Sequence, residues 1–459
     1  MSRVVGAAQP RGPEHTALVL DFAARELFHR DAVAPLFQGD GTVVVYDAEW
    51  RALRALRPSR WKPRGTGLMR SLASRAHLLV TGSGGETDAR VRADLGIPAS
   101  RRIVHAAPTP AAFALRLLLT VLRPSSWHMV ADIRDGRFTQ HRYRDVAVGG
   151  YLVDSFLRHR RPVFFFFGPR LPALAIGVVW LAEYLTHVDA VAALARQYRF
   201  RTLLINHAVY AESGLLAHVV KAVLGARVQV FHSMVSPGSL VEMDRLAVCP
   251  YAQRTREFLT AEARSADVPQ PMWRDLPADS AATRDDAGRC IILAMHCLLD
   301  ANDVHDDGST VHPSYLEWIR HSIEVLRAAP HVRCILRLHP DRRMYGAAEE
   351  AMYRHLFRDL PDNCRVLAPE DPEGNPCRED AVVVTFRGSI ALELACLGKR
   401  PVAVGEPNCP AECYTPIRSR REYADFLLGG FRTFDDHLSA DAVALADRYR
   451  QAMKRALDY

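Results

Sequence analysis

With 459 residues, 49% of them hydrophobic and 24% charged, the chain is long enough for two to three globular domains, and its composition excludes a disordered, collagen-like or low-complexity protein. The net charge of +7 is carried almost wholly by arginine, since lysine occurs only at Lys62, Lys221, Lys399 and Lys454. That balance suits anionic partners such as a nucleotide, an acidic glycan or a lipid headgroup surface, while the absence of basic–aromatic alternation and of zinc-finger spacing argues against nucleic acid.

The first sixteen residues contain no apolar signal core. Residues 51–77 carry many positive charges beside Trp61, Leu68, Met69 and Leu72. Such a run reads first as a solvated basic face and second as a contact with a membrane surface. Strands are expected at 42–46 (TVVVY), 76–81 (AHLLVT) and 102–105. The turn Gly82-Ser83-Gly84-Gly85 is either a plain loop or a phosphate cradle. A helix is expected over 112–122, a buried strand over 163–167 (VFFFF), and two helices over 174–184 and 188–198. The most apolar region, 162–185, is interrupted by Arg170 and Glu183, so no bilayer span is expected there. A strand at 202–206, a helix at 212–224 and a strand around Gln229 complete the first half. Strands alternating with helices imply a parallel sheet covered on both faces.

Residues 262–288 hold three prolines and several acids without periodicity and read as a linker. The expected division is an N-terminal domain over 1–261, the linker, and a C-terminal domain over 289–459. The second series runs strand 290–295, helix 315–328, strand 331–338, helix 349–360, strand 364–367, and terminal helices at 421–428 and 440–457. All nine cysteines lie between Cys249 and Cys413 without a CxxC pair. That pattern suits reduced thiols and a cytoplasmic location.

The most informative stretch is 381–405, AVVVTFRGSIALELACLGKRPVAVG. It reads as a buried strand, a turn at Phe386-Arg387-Gly388-Ser389, a helix closed by Gly398 in a left-handed C-cap, and a second buried strand. Gly388 and Ser389 sit where a helix start favours phosphate, and Ser389 could instead cap the helix. Glu393, four residues on, shares the face of Ser389 and could accept hydrogen bonds from ribose hydroxyls. Ligands of open α/β sheets bind beyond the C-terminal strand ends. Arg337, His339, Arg387, Gly388, Ser389 and Glu393 all belong there, and would converge if strands 331–338 and 381–385 lie close together. His296, Asp300, His305 and His312 fit no standard metal spacing. Tyr315 and Trp318, at helical spacing, read as packing.

HVRCILRLHPD followed by VVTFRGSIALELACLGKRPVAVG resembles the donor domain of GT-B glycosyltransferases of the bacterial capsule polysaccharide type, which include transferases of CMP-linked acidic sugars and, more distantly, CDP-glycerol polymerases. His296, Asp300, Ala301, Tyr315 and Trp318 match a further pattern of that family, and GGYLVDSFLR and NHAVYAESGLLAHVV resemble its acceptor-side segments. The resemblance covers about 149–405. It implies an α/β protein of two Rossmann-like domains facing across a cleft. The implied activity is transfer of a sugar from a nucleotide-activated donor to a glycan or glycolipid acceptor, with no cofactor and no metal. Work at the inner membrane face beside polysaccharide-assembly proteins would follow. On this basis His339 donates to the leaving phosphate, Arg337 adds fixed charge, Gly388 and Ser389 meet phosphate, and Glu393 holds ribose. Asp154 is the first candidate for the base, with His207 and Glu212 behind it. Three alternatives stand beside it. A CDP-polyol phosphotransferase asks for a second histidine near His339, with His331 and His355 available. A nucleotide-sugar epimerase and a non-catalytic assembly partner are the others.

Overall fold

The computed structural model describes residues 16–20, 30–46, 88–108, 110–138, 141–143, 145–159, 161–205, 210–232, 241–243, 259–261, 263–264, 288–300 and 311–457. The expected strand at 76–81 with its glycine turn, the basic run at 51–77, His207 and nearly all of the expected linker lie outside them. The chain divides into two compact units, Met1–Val248 and Cys249–Asp458.

Among the described residues of the first unit six strands form one sheet, in the order Arg102–Ala106, Thr42–Tyr46, Ala17–Leu20, Thr202–Ile205, Gln229–His232, Val241–Met243. All pairings are parallel except the last. Ala17–Leu20 has no counterpart among the expected strands, yet it is central and wholly buried. At four residues it is too short to show a period. Its side chains pack with Val43, Val45, Val91, Leu95 and Phe231.

Two expectations in this unit are corrected. The aromatic run at 163–167 is helical, within Pro162–Phe167. Pro162 suits the first helical turn, and the Gly168 N–H closes the end on the Phe164 carbonyl at 2.9 Å. Phe165 packs edge-on against Phe156 at 5.1 Å. Tertiary aromatic packing overrides strand propensity here. The two expected helices over 174–198 are one helix, Arg170–Tyr198, because no glycine or proline separates them. Among the described residues it is the one helix long and apolar enough to cross a membrane. Yet 67% of its most apolar stretch is buried inside the structure, the pattern of a core helix.

The second unit repeats the layout. Its sheet runs Cys364–Leu367, Cys334–Arg337, Cys290–Ala294, Ala381–Thr385, Val402–Ala403, Thr415–Pro416, and every pairing is parallel. In both units the first strand is central, with the second and third to one side and the fourth to sixth to the other, the doubly wound dinucleotide-fold order. The protein is therefore α/β, with two Rossmann-like sheets. The near-continuous apolar runs CIILA and AVVVT are what a sheet covered on both faces demands. Leu259 and Ala263 pack against Ala391, Ala395 and Tyr449, so residues that the sequence division gave to the first domain or the linker belong to the core of the second unit.

Candidate functional site

The strand order reverses in the second unit between Cys290–Ala294 and Ala381–Thr385, and the crevice at that switch point is where such sheets take ligands. The strands carrying His339 and Ser389 are not neighbours, since Cys290–Ala294 pairs with both and lies between them. The residue that fills the interval is His296, two positions beyond that middle strand.

The backbone of His296 is held on both sides. Its N–H donates to the Tyr315 hydroxyl at 2.5 Å, and its carbonyl accepts from Tyr315 at 3.2 Å and from Tyr353. The next turn is held by Glu349, whose two carboxylate oxygens accept the N–H groups of Leu298 at 2.6 Å and Leu299 at 2.9 Å. Glu349 is wholly buried, and that burial pushes its carboxyl up to about 7 in spite of the hydrogen bonds.

The rings of His296 and His339 stack at 6.0 Å, inclined by 11°. His339 caps the short helix Pro340–Tyr345, its Nδ1 accepting the Asp341 N–H at 3.1 Å. The neutral ring therefore carries its proton on Nε2, where it is a hydrogen-bond donor. Burial lowers the basicity of both rings, His296 to about 4, with the charge of the neighbouring His339 adding to the effect. The Nε2 of His296 is sealed from solvent and has no hydrogen-bond partner.

Arg337 ends the second strand. One guanidinium nitrogen donates to the Pro369 carbonyl at 3.3 Å, and its Nε is buried without a partner. Burial lowers its basicity while Glu393 opposes the loss; guanidinium keeps its charge under such pressure. Across the crevice Ser389 Oγ donates to Glu393 Oε1 at 3.2 Å, so the pair expected on one helix face is in contact. Ser389 does not cap its helix: its backbone is already helical and makes no cap bond. The Gly388 N–H is taken by Thr385 Oγ1 at 3.0 Å. At the far end Gly398 adopts the left-handed conformation expected of it, with φ of 80°. Its N–H bonds the Ala395 carbonyl, and the Lys399 N–H bonds that of Leu394. Arg387 packs over Gly405, where an added Cβ would lie 3.0 Å from the arginine Cγ.

Gly388 has a steric reason to be glycine. A Cβ there would lie 2.8 Å from Thr385 Oγ1, 3.0 Å from Ile390 Cγ2 and 3.4 Å from His296 Nε2. Gly388→Ala is expected to cost about 1–3 kcal/mol by overpacking and to displace the turn that carries Ser389. A urea titration and a nucleotide-binding assay of the variant check both effects.

Tyr315 and Trp318 are packing residues, set edge-on and tilted against the Phe386 ring of the turn. His331 stands at the opposite end of the Cys334–Arg337 strand from His339, and His355 is engaged by Arg358. His312 is buried against His321 at 2.8 Å, while His305 lies outside the described residues. Among the described residues no three His, Cys, Asp or Glu side chains gather as a metal site would require.

In the first unit the segments GGYLVDSFLR and YAESGLLAHVV pack together. Tyr151 OH meets His218 Nδ1 at 2.7 Å, and Ser155 Oγ accepts the Ala211 N–H at 2.7 Å. Tyr210 opens a π-helical turn, Tyr210–Leu215, at a φ of 58°. Asp154 is wholly buried in the helix Gly149–His159. The segments that follow Ala17–Leu20 and Thr202–Ile205, His207 among them, lie outside the described residues.

No family model matches the chain, and no curated protein matches it. Among solved structures, a glycosyltransferase from Rickettsia africae ESF-5 is similar over 97% of this chain and 95% of that one, at 9% identity and a TM-score of 0.24. The glycotransferase of kitacinnamycin is similar over 98% of this chain and 97% of that one, at 14% identity and a TM-score of 0.24. Scores of that size do not establish a shared fold. The class that fold and site define on their own is a pair of Rossmann-like α/β units, the second with a histidine-lined, arginine-bearing crevice at its switch point.

Proposed function

We propose that this chain is a GT-B-type glycosyltransferase whose second unit binds a nucleotide-activated sugar, with a CMP-linked acidic sugar favoured. The acceptor is a growing surface or capsular polysaccharide, held by the first unit, and the setting is the cytoplasmic side of the inner membrane. The observation that carries this reading is the switch-point crevice, which joins a neutral histidine donor, a half-buried guanidinium and the Ser389–Glu393 pair. In the transfer the bond from the anomeric carbon to the donor phosphate breaks, its electron pair leaving with the phosphate. The acceptor oxygen bonds the same carbon and gives up its proton. His339 Nε2–H and Arg337 suit the charge that gathers on the leaving phosphate, and Glu393 suits ribose. The acceptor's proton needs a base from the first unit. Of the three candidates, Asp154, His207 and Glu212, His207 is preferred over Asp154, because Asp154 is sealed in its helix.

A second reading, CDP-polyol phosphotransfer, is favoured by one specific observation: the second histidine that such chemistry asks for beside His339 is present as His296.

A donor screen tests both. Purified protein is incubated with CMP-, CDP-, UDP- and GDP-linked donors, following nucleotide release and the fate of labelled donor phosphate. Release of CMP from a CMP-linked sugar, with no phosphate in the product, is the expected result. Labelled phosphate in the product selects the second reading, and absence of any nucleotide binding sinks both. Glu393→Ala is expected to weaken nucleotide binding about tenfold, the worth of one charge-assisted hydrogen bond. Undiminished affinity removes the ribose role, and activity abolished by a chelator contradicts a metal-free mechanism.

A further inference from the structure

The switch-point loop, Met295 to Asp300, has no regular secondary structure of its own, and yet it sets the position of one of the two stacked rings. Its fixings are three side chains from elsewhere in the unit: Tyr315 at the start of the helix Tyr315–Arg327, and Glu349 and Tyr353 from the helix Gly346–Leu356. The two tyrosines are neutral and meet the loop at His296, and Tyr353 also hydrogen-bonds Glu349. The part of the loop beyond it is held by Glu349, which meets Leu298 and Leu299 with one oxygen each. Two N–H donors converging on two oxygens of one group specify a carboxylate. A carboxamide presents an NH2 to one of them, and a protonated acid presents a hydroxyl.

Resting on the proposed nucleotide site, we infer that Glu349 is a positioning residue for it: the ionised carboxylate holds the loop Met295 to Asp300 and thereby the His296 ring against His339. The groups that face Glu349 are Tyr353 from its own helix, Tyr315 from the helix opposite, and Asp300 from the loop itself. None is a cation, so no ion pair fixes its charge. Its burial places the change of charge near neutrality, up to about 7, within the range where an enzyme is assayed. The residue touches no reacting atom. It acts through the backbone of the loop.

The test uses the whole protein labelled with 15N-leucine. In the wild type the amide signals of Leu298 and Leu299 are expected downfield and to titrate together with a midpoint near 7. In Glu349→Gln that titration is expected to vanish, and nucleotide binding to weaken about tenfold and lose its pH dependence around neutrality. Leu298 and Leu299 amides that do not move between pH 6 and pH 8.5 in the wild type overturn the inference, whether or not the variant folds. So does a Glu349→Gln protein whose nucleotide affinity and pH profile match the wild type. If the amides titrate as expected but no nucleotide binds, the loop contact stands and the functional reading beneath it falls.

Discussion

Replacing His339 with alanine is expected to cut turnover about 10²–10³-fold, the usual effect of deleting one preorganised donor to a developing negative charge, while leaving nucleotide binding within a few-fold. The ring is suited to that role because Nδ1 is committed to the Asp341 N–H, leaving Nε2 to donate. Part of any loss could come from the cap that the same ring provides to Pro340–Tyr345. His339→Asn separates the two effects: asparagine is a favoured cap, but its amide stops short of the Nε2 position. Equal loss of turnover in both variants, with only alanine lowering the urea midpoint, is the expected pattern. Recovery of full activity by asparagine limits His339 to capping.

Acidification is expected to destabilise the fold well before carboxylates dominate. Burial holds His218 and His296 down to about 4 and His312 to about 3, against an ordinary value of 6.5. As pH falls below 6.5 the unfolded chain takes up protons that these folded rings refuse. The stability they allow is thus complete above 6.5 and drains away toward 4. At pH 5 each ring has cost about 2 kcal/mol. Glu349 works in the opposite sense: held up to about 7 against an ordinary 4.5, it costs stability above 7, and that cost fades as pH falls. Three rings outweigh one carboxyl, leaving a net loss of about 3 kcal/mol between pH 7.5 and pH 5. Urea midpoints at the two values measure it, and His312→Leu, which removes about 2 kcal/mol of that loss, should flatten the slope by more than half. A midpoint that holds or rises on acidification contradicts the assignment of these rings as buried and neutral.

The second unit was far more legible in the sequence than the first. Strands such as 290–294 and 381–385 are fully buried apolar runs flanked by charged residues, turns or glycine, and composition with punctuation suffices for those. The run VFFFF fails the same reasoning because a short apolar segment fits strand and helix alike, and its packing partners Phe156 and Trp180 come from the helices before and after it. The site was half legible. His339, Gly388 and Ser389 each stand just past a strand that the sequence marks, and so does His296. What no local pattern conveys is the strand order. Only the placing of Cys290–Ala294 between the other two strands makes His296 the neighbour of His339. Glu349 was beyond reach for the same reason: on its helix it reads as an ordinary solvent-facing acid, and its partners lie some fifty positions earlier in the chain.

The place of Cys290–Ala294 at the centre of its sheet also bears on how the chain is made. Its first edge partner, Cys334–Arg337, is synthesised well after it, and its second, Ala381–Thr385, much later still. Until then a growing chain on the ribosome displays CIILA, five apolar residues with no charge or proline, with at least one open edge. Such a segment is a template for pairing with other chains. A chain cut before Thr385 never closes that edge, so truncated products should be the insoluble ones, and slowing synthesis across 338–381 should lengthen the interval in which full-length chains are at risk.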